Sequence, residues 1–303
     1  MEKTPSSKSP KVGFFSTCNN YYELCKPRVV MLLVFTAVIG MFLATPGMVP
    51  WEPLVFGTLG IGLAASSAAA INQVVDQKID SAMRRTEERP LPKGNVTNTQ
   101  AMIFAVIIGA IAMIILTFLV NGLTAWLTFL SLIGYAVIYT MFLKHATPQN
   151  IVIGGAAGAA PPVLGWTAVT GTIDPNSLWL FLIIFAWTPP HFWALAIHRK
   201  DEYAKANVPM LPVTHGVEYT RRQVLLYTII MCAVTLMPFA VRMSGIVYLV
   251  GAIILNVIFL YYAIKMQSGK DPSIPMKTFG YSIIYLMLLF ALLLIDHYLP
   301  QSF

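Results

Sequence analysis

Charge is scarce in this chain. Asp, Glu, Lys and Arg make up 11% of its 303 residues, against about 25% in an ordinary globular protein. Apolar residues reach 57%. That balance excludes a soluble globular domain and predicts an integral membrane protein. Cysteine is sparse too. Cys18, Cys25 and Cys232 show no CxxC spacing, which excludes a disulfide framework and a thiolate metal cluster. No HxxxH or HExxH joins His145, His191, His198, His215 and His297, so zinc hydrolysis has no support. A Walker loop, GxSxG, and GxGxxG after a strand are all missing, which removes nucleotide-cradling and nucleophile-elbow chemistry. Strict apolar–polar alternation is missing as well, so helices are expected rather than a membrane barrel.

What is present is a series of apolar runs near the ~20 residues that a bilayer-crossing helix requires. Nine are read: Val29–Ala44, Pro53–Val75, Ala101–Val120, Thr124–Leu143, Ile151–Val169, Leu178–His198, Gln223–Val241, Ile246–Met266 and Thr278–Tyr298. The breaks between them carry Pro, Gly, Asn or charge. Trp51, Trp126 and Trp179 lie near span ends, as interfacial anchors do. Nineteen of the twenty Lys and Arg residues fall in the N-terminal segment or in even-numbered connections, and only Arg242 falls in an odd-numbered one. Basic residues collect on the cytoplasmic side. The N-terminus is therefore expected in the cytoplasm and the C-terminus, after nine crossings, outside. The net charge of +7 then reflects topology, and no nucleic-acid partner is expected. Residues 1–20, rich in Ser, Pro and Lys, read as a disordered cytoplasmic tail, and residues 21–303 as one transmembrane domain. The first run lacks a clear cleavage site and is read as a retained helix. No Arg-rich amphipathic leader is present, which points to a bacterial plasma membrane.

One stretch, Asn72 to Leu91, is densely charged. Asn72, Asp76 and Asp80 are spaced i, i+4, i+8, which places them in a column on one helix face. Carboxylates this close repel unless a cation lies between them, and acids just inside a membrane are costly without one. Arg84, Arg85, Arg89 and Lys93 follow at once. Carboxylates for a hard divalent cation, beside guanidinium groups for phosphate, suit a diphosphate leaving group. The bland reading is a snorkelling, charge-rich helix end. A second polar loop, His198 to Pro212, leaves the sixth span on the same side. It reads either as a solvated loop or as a companion to the first.

Two interior features complete the inventory. The fifth span carries Gly154-Gly155-Ala156-Ala157-Gly158-Ala159-Ala160 and then Pro161-Pro162. Such a stripe lets helices approach closely, or leaves backbone open to a bulky ligand. The sixth span carries Pro189-Pro190 before His191. Both proline pairs are expected to break or kink their helices. His191 is a site candidate as an ionisable residue inside the membrane, and equally a core-bonded histidine.

The Asn72-x3-Asp76-x3-Asp80 column in a nine-span bundle resembles the UbiA superfamily of intramembrane prenyltransferases. Further runs resemble its haem-farnesylating branch. They are Cys25-Lys26-Pro27-Arg28, Asp80-Ser-Ala-Met83-x-Arg85-Thr86-x-x-Arg89-Pro90-Leu91, Tyr139-Thr140-x-x-Leu143-Lys144, Asn150 to Ala159, Trp187-Thr-Pro-Pro190-His191-Phe192-Trp193 and Val208-Pro209-Met210-Leu211-Pro212. The resemblance spans residues 22–298. It implies that farnesyl diphosphate ionises with Mg2+ on its diphosphate, and that the C1 cation adds to a vinyl group of protohaem IX. Water then completes haem O, for terminal oxidases or as the haem A precursor. It implies Asn72, Asp76 and Asp80 as catalytic residues and metal ligands, with Asp201 as a further ligand. Lys26, Arg28, Arg85, Arg89, Lys144 and Lys205 are implied to bind diphosphate, and His191 to contact haem. The implied partners are farnesyl diphosphate, protohaem IX, membrane lipid, and the haem A synthase or oxidase assembly. Where many members carry a second Asp-x3-Asp, this chain has Asp201-x3-Lys205. Asp201 would hold metal alone or with Glu202, and Lys205 would supply a cation. Two alternatives stay open: an aromatic prenyltransferase making quinone precursors, and a transporter with proline-broken helices.

Overall fold

The computed structural model describes residues 14–299, and all regular structure among them is helical. α1 (Phe14–Leu24) and α2 (Pro27–Leu43) meet at a 55° bend. Pro27 opens α2, where its missing N–H costs nothing. The tail expected over residues 1–20 thus overlaps α1 from Phe14 onward, and residues 1–13 lie outside the described residues. A π-helical segment, Pro53–Gly57, leads into α3 (Thr58–Val75), and short α4 (Gln77–Ser81) follows. α5 (Asn98–Leu119) starts at a reciprocal capping box between Thr97 and Gln100. α6 (Gly122–Ile133) is capped by Asn121 and passes into a second π-helical segment, Gly134–Leu143, and then α7 (Lys144–Ala146). After α8 (Asn150–Ala159) and α9 (Pro161–Thr170) come α10 (Pro175–His198), α11 (Lys200–Lys205) and α12 (Leu211–Thr214). Three long helices close the chain: α13 (Gly216–Ala240), α14 (Ile246–Gln267) and α15 (Ile274–Tyr298).

Among the described residues eight helices are long and apolar enough to cross a bilayer, and the bent α1–α2 pair, taken as one span, makes a ninth. The chain is a multi-pass membrane protein. Their outer faces expose residues such as Val106, Phe118, Val250 and Val257, as a lipid-facing surface does, while helices keep every backbone hydrogen bond inside the segment. The spans alternate in direction. Residues 76–97, 144–149, 199–215 and 268–273 therefore connect them at one end, here termed the motif end.

The two proline pairs behave differently. Pro161 and Pro162 fall in the first turn of α9 and divide the fifth span into α8 and α9. Pro189 and Pro190 lie inside α10, which continues unbroken, against expectation. Those prolines remove backbone donors to the preceding turn. α10 tolerates the loss because it is the most buried span, with α8, α9, α13 and α15 packed around it. Its Leu180, Ile183 and Trp187 share one apolar core with Phe259 of α14 and Tyr285 and Phe290 of α15. A second apolar cluster joins Met83 and Tyr203, Val208, Met210 and Leu211 to Trp193 and Met266. The second polar loop is therefore anchored to the bundle and to the first, and is not simply solvated.

α2 and α9 approach through two glycines. A methyl group on Gly165 would lie 1.9 Å from the Ala37 carbonyl oxygen, and one on Gly40 would lie 2.2 Å from that of Pro162. Both obstacles are backbone, so the helices would have to separate. Gly165→Ala is expected to lower the Tm by several degrees, since overpacking costs about 1–3 kcal/mol. Gly158→Ala, with no atom within 4 Å of the added carbon, should leave the Tm unchanged or raise it. Thermal unfolding of both variants in detergent checks the contrast.

Candidate active site

α3 ends at Val75, and Asp76 caps it with non-helical dihedrals. The Asp80 amide still donates to the Asp76 carbonyl at 2.8 Å. The four-residue step therefore survives the change from α3 to α4, and Asn72, Asp76 and Asp80 remain a column, each 4% exposed. Asn72 Nδ2 donates to Asp76 Oδ2 at 2.9 Å and to Thr140 Oγ1 at 3.2 Å. Lys26 Nζ donates to Asn72 Oδ1. Lys144 Nζ lies 2.7 Å from Asp76 Oδ2, and Arg89 Nη1 lies 2.6 Å from Asp80 Oδ2. Three of the predicted basic residues are thus brought onto the column.

Each arrives by a local device. Gln73 Nε2 donates to the Glu23 and Leu24 carbonyls at 2.9 and 3.1 Å, docking the end of α1 on α3. Lys26 follows in the left-handed region, φ 49°. That backbone is strained for a side chain with Cβ, and such strain collects at functional sites. Lys144 comes from the π-helical segment, where Thr140 Oγ1 donates to the Tyr135 carbonyl at 2.7 Å. The wider turn re-aims side chains, and π-helical turns often mark functional positions. Asn150 Nδ2 then holds the Lys144 carbonyl at 3.1 Å. Tyr135 and Tyr139 stack with ring centroids 5.5 Å apart on the same segment. Gly154 makes room for Tyr139, whose ring lies 2.1 Å from where a methyl group would be. The small-residue stripe therefore serves close packing at Gly154 and, against Thr188, at Gly155.

The remaining predicted residues are placed differently. Arg28 and Arg85 are exposed at the motif end. Tyr203 is buried on α11, and its burial pushes its hydroxyl pKa up, with Arg85 and Arg199 beside it opposing the rise. Asp201 and Lys205 are exposed on α11, two residues either side of Tyr203. That spacing sets them away from the buried face of α11. Arg199 binds both carboxylate oxygens of Glu202, at 2.9 and 3.1 Å. Thr140, Gln73 and Tyr203 were not expected at the site. Only Thr140 had a signal, as the neighbour of Tyr139 in a motif run.

The column's chemistry fits a hard divalent cation. Its donors are amide and carboxylate oxygens, and Asp76 Oδ1 is buried without a hydrogen-bond partner. Leaving such an atom unpaired is costly. The column offers two carboxylates, and Mg2+ takes one or two carboxylates and completes its shell with water and substrate phosphate.

His191 lies seven residues before the end of α10, about 10 Å inside the motif end at 1.5 Å per residue. Its ring is stacked between Trp187, at 4.2 Å, and Phe279, at 4.6 Å. Its Nδ1 is 2.6 Å from Ser282 Oγ on α15.

Residues 33–294 match the UbiA prenyltransferase family. The chain is 58% identical over 289 residues to the protoheme IX farnesyltransferase of Nitrosococcus oceani, covering 95% of this chain and 97% of that one. It is 61% identical over 283 residues to that of Hahella chejuensis, covering 93% and 95%. Among solved structures, one described for digeranylgeranylglyceryl phosphate synthase superposes with a TM-score of 0.78 at 16% identity, covering 93% of this chain and 99% of that one. A UbiA homolog from Archaeoglobus fulgidus bound to GPP and Mg2+ superposes with a TM-score of 0.61 at 16% identity, covering 90% and 99%. Fold, motif column and sequence agree: the chain belongs to the UbiA prenyltransferase family.

Proposed function

We propose that the chain transfers the farnesyl group of farnesyl diphosphate to a vinyl group of protohaem IX, releasing diphosphate and, once water adds, giving haem O. The observation that carries the reading is the buried Asn72–Asp76–Asp80 column with Lys26, Lys144 and Arg89 upon it. Relatives 58–61% identical that are protoheme IX farnesyltransferases support haem as the acceptor.

Breaking the allylic C–O bond places negative charge on the departing diphosphate. Mg2+, when bound to Asn72, Asp76 and Asp80, supplies neutralising charge there. Lys144 and Arg89, now paired with the carboxylates, turn to the phosphate oxygens, and Lys26 joins them. Fixed cations of this kind stabilise the leaving group without a general base. Arg28 and Arg85, exposed at the same end, draw the diphosphate in. Asp201 and Lys205 stay outside the column, and metal binding is assigned to the first motif alone. The apolar bundle keeps water from the carbocation until it has met the vinyl group. His191, two turns deeper, contacts the haem. On the charge distribution the motif end faces the cytoplasm of a bacterial plasma membrane. Haem O leaves into the bilayer, from which the haem A synthase or an oxidase assembly takes it up.

Membranes containing the chain, given labelled farnesyl diphosphate with either haem or an aromatic acid, should place label on haem. Label on the aromatic acid alone would overturn the reading. Chelation should abolish transfer and added Mg2+ restore it.

Asp76→Asn is expected to lower kcat by about 10²-fold or more, as loss of a transition-state charge contact does. Asp201→Asn and Lys205→Ala should match the parent enzyme. Asp76→Asn also leaves Lys144 buried without its counter-ion, a cost of about 3–5 kcal/mol. Adding Lys144→Met should recover the Tm but not the activity, which separates the structural role of the pair from its catalytic one.

A further inference from the structure

Ser282 sits on α15, fully buried, opposite His191. Its hydroxyl has one proton, and Ser282 Oγ donates it to the Phe279 carbonyl at 2.6 Å. Toward His191 the same oxygen can therefore only accept, at 2.6 Å, so Nδ1 must carry a proton. A neutral imidazole with its proton on Nδ1 has its lone pair on Nε2. Among the described residues Nε2 has no hydrogen-bond partner. The ring is also prevented from turning, because Trp187 and Phe279 stack on its two faces. Ser282 is itself fixed, since Trp187 Nε1 donates to its carbonyl at 2.8 Å. The Trp187, His191, Phe279 and Ser282 side chains thus form one rigid unit across α10 and α15. An unbonded imidazole nitrogen of defined direction, inside an apolar bundle, has the chemistry of an iron ligand.

We propose that Ser282 is the positioning residue that fixes His191 as the Nδ1–H tautomer, so that Nε2 faces the haem iron while the vinyl group is farnesylated. This rests on haem being the acceptor and His191 its contact. Ser282 touches neither haem nor farnesyl diphosphate. It acts through His191, as outer partners of metal-bound histidines do by setting tautomer, orientation and basicity.

The test uses the full chain in detergent, loaded with haem, with Soret position and haem dissociation read in the ferric state and the iron–histidine stretching frequency in the ferrous state. Ser282→Ala should lower haem affinity by about 10–100-fold, the usual cost of removing an outer hydrogen bond to a ligand. It should also shift the iron–histidine frequency, beyond the modest fall in Tm that an unpaired Nδ1–H brings. Ser282→Thr keeps the hydroxyl and should restore both. His191→Ala should remove the histidine-ligated spectrum altogether. If Ser282→Ala matches the parent in spectrum and affinity while His191→Ala loses both, the role given to Ser282 is wrong and the haem contact stands. If His191→Ala keeps the parent spectrum, the haem contact itself fails, and the role of Ser282 with it.

Discussion

Two carboxylates buried at the edge of a membrane bundle must be compensated, and the motif end is built to that requirement. Asp76 and Asp80 are both 4% exposed, and each has a basic side chain within 2.7 Å. Pairing of this kind is poor economy for stability, because desolvating both partners offsets much of their attraction. An apolar pair of similar volume would hold α3 to the π-helical segment as well. The arrangement makes sense if the partners change during turnover. Carboxylates that release Lys144 and Arg89 to a diphosphate, and accept a divalent cation in exchange, keep every buried charge compensated in both states. Asp76 Oδ1, buried without a hydrogen-bond partner, is the oxygen of the column that such a cation would satisfy.

The backbone departs from regular geometry where that network needs a side chain. Lys26 stands in the left-handed region at the α1–α2 bend. Lys144 directly follows a ten-residue π-helical segment whose Thr140 also meets Asn72. Asp76 breaks α3 from α4. Each irregularity costs free energy that packing elsewhere must supply. The second apolar cluster, which ties both long loops to the bundle, does so at the same end. Rigidity in the loops and strain in the helices are parts of one design, since cations placed loosely would stabilise a leaving group less.

The sequence makes the spans legible because bilayer thickness dictates the length of an apolar run, and topology dictates where Lys and Arg collect. Asn72, Asp76 and Asp80 are legible for a similar reason: a four-residue step on a helix is a fixed geometry. What escapes is whatever depends on tertiary context. The prolines of the sixth span read as a break, yet surrounding helices hold α10 together. Which face of α11 turns inward is set by the buried Tyr203, and composition does not mark that residue. Thr140 and Ser282 are plain hydroxyl residues; Thr140 stands in a motif run but without a role, and nothing marks Ser282. Their meaning comes from Asn72 and His191, 68 and 91 residues away along the chain.

On the function proposed above, the two halves of the site obey opposite rules, and that division would account for their separation. The diphosphate half needs charge, and therefore sits at the membrane edge, where Arg28 and Arg85 still reach solvent. The acceptor half needs a neutral donor nitrogen and no water, and therefore lies about two turns of α10 deeper, among Trp187, Phe279 and Ser282. A farnesyl chain is apolar along its length and charged at one end, so it can bridge the two environments only with its diphosphate at the edge. Its C1 carbon is then held where the polar column gives way to the apolar bundle. Placing the acceptor's reactive carbon just inside that boundary requires an anchor on the iron side of the macrocycle. A histidine whose free nitrogen is fixed by stacking and by one hydroxyl provides such an anchor without adding a charge near the carbocation.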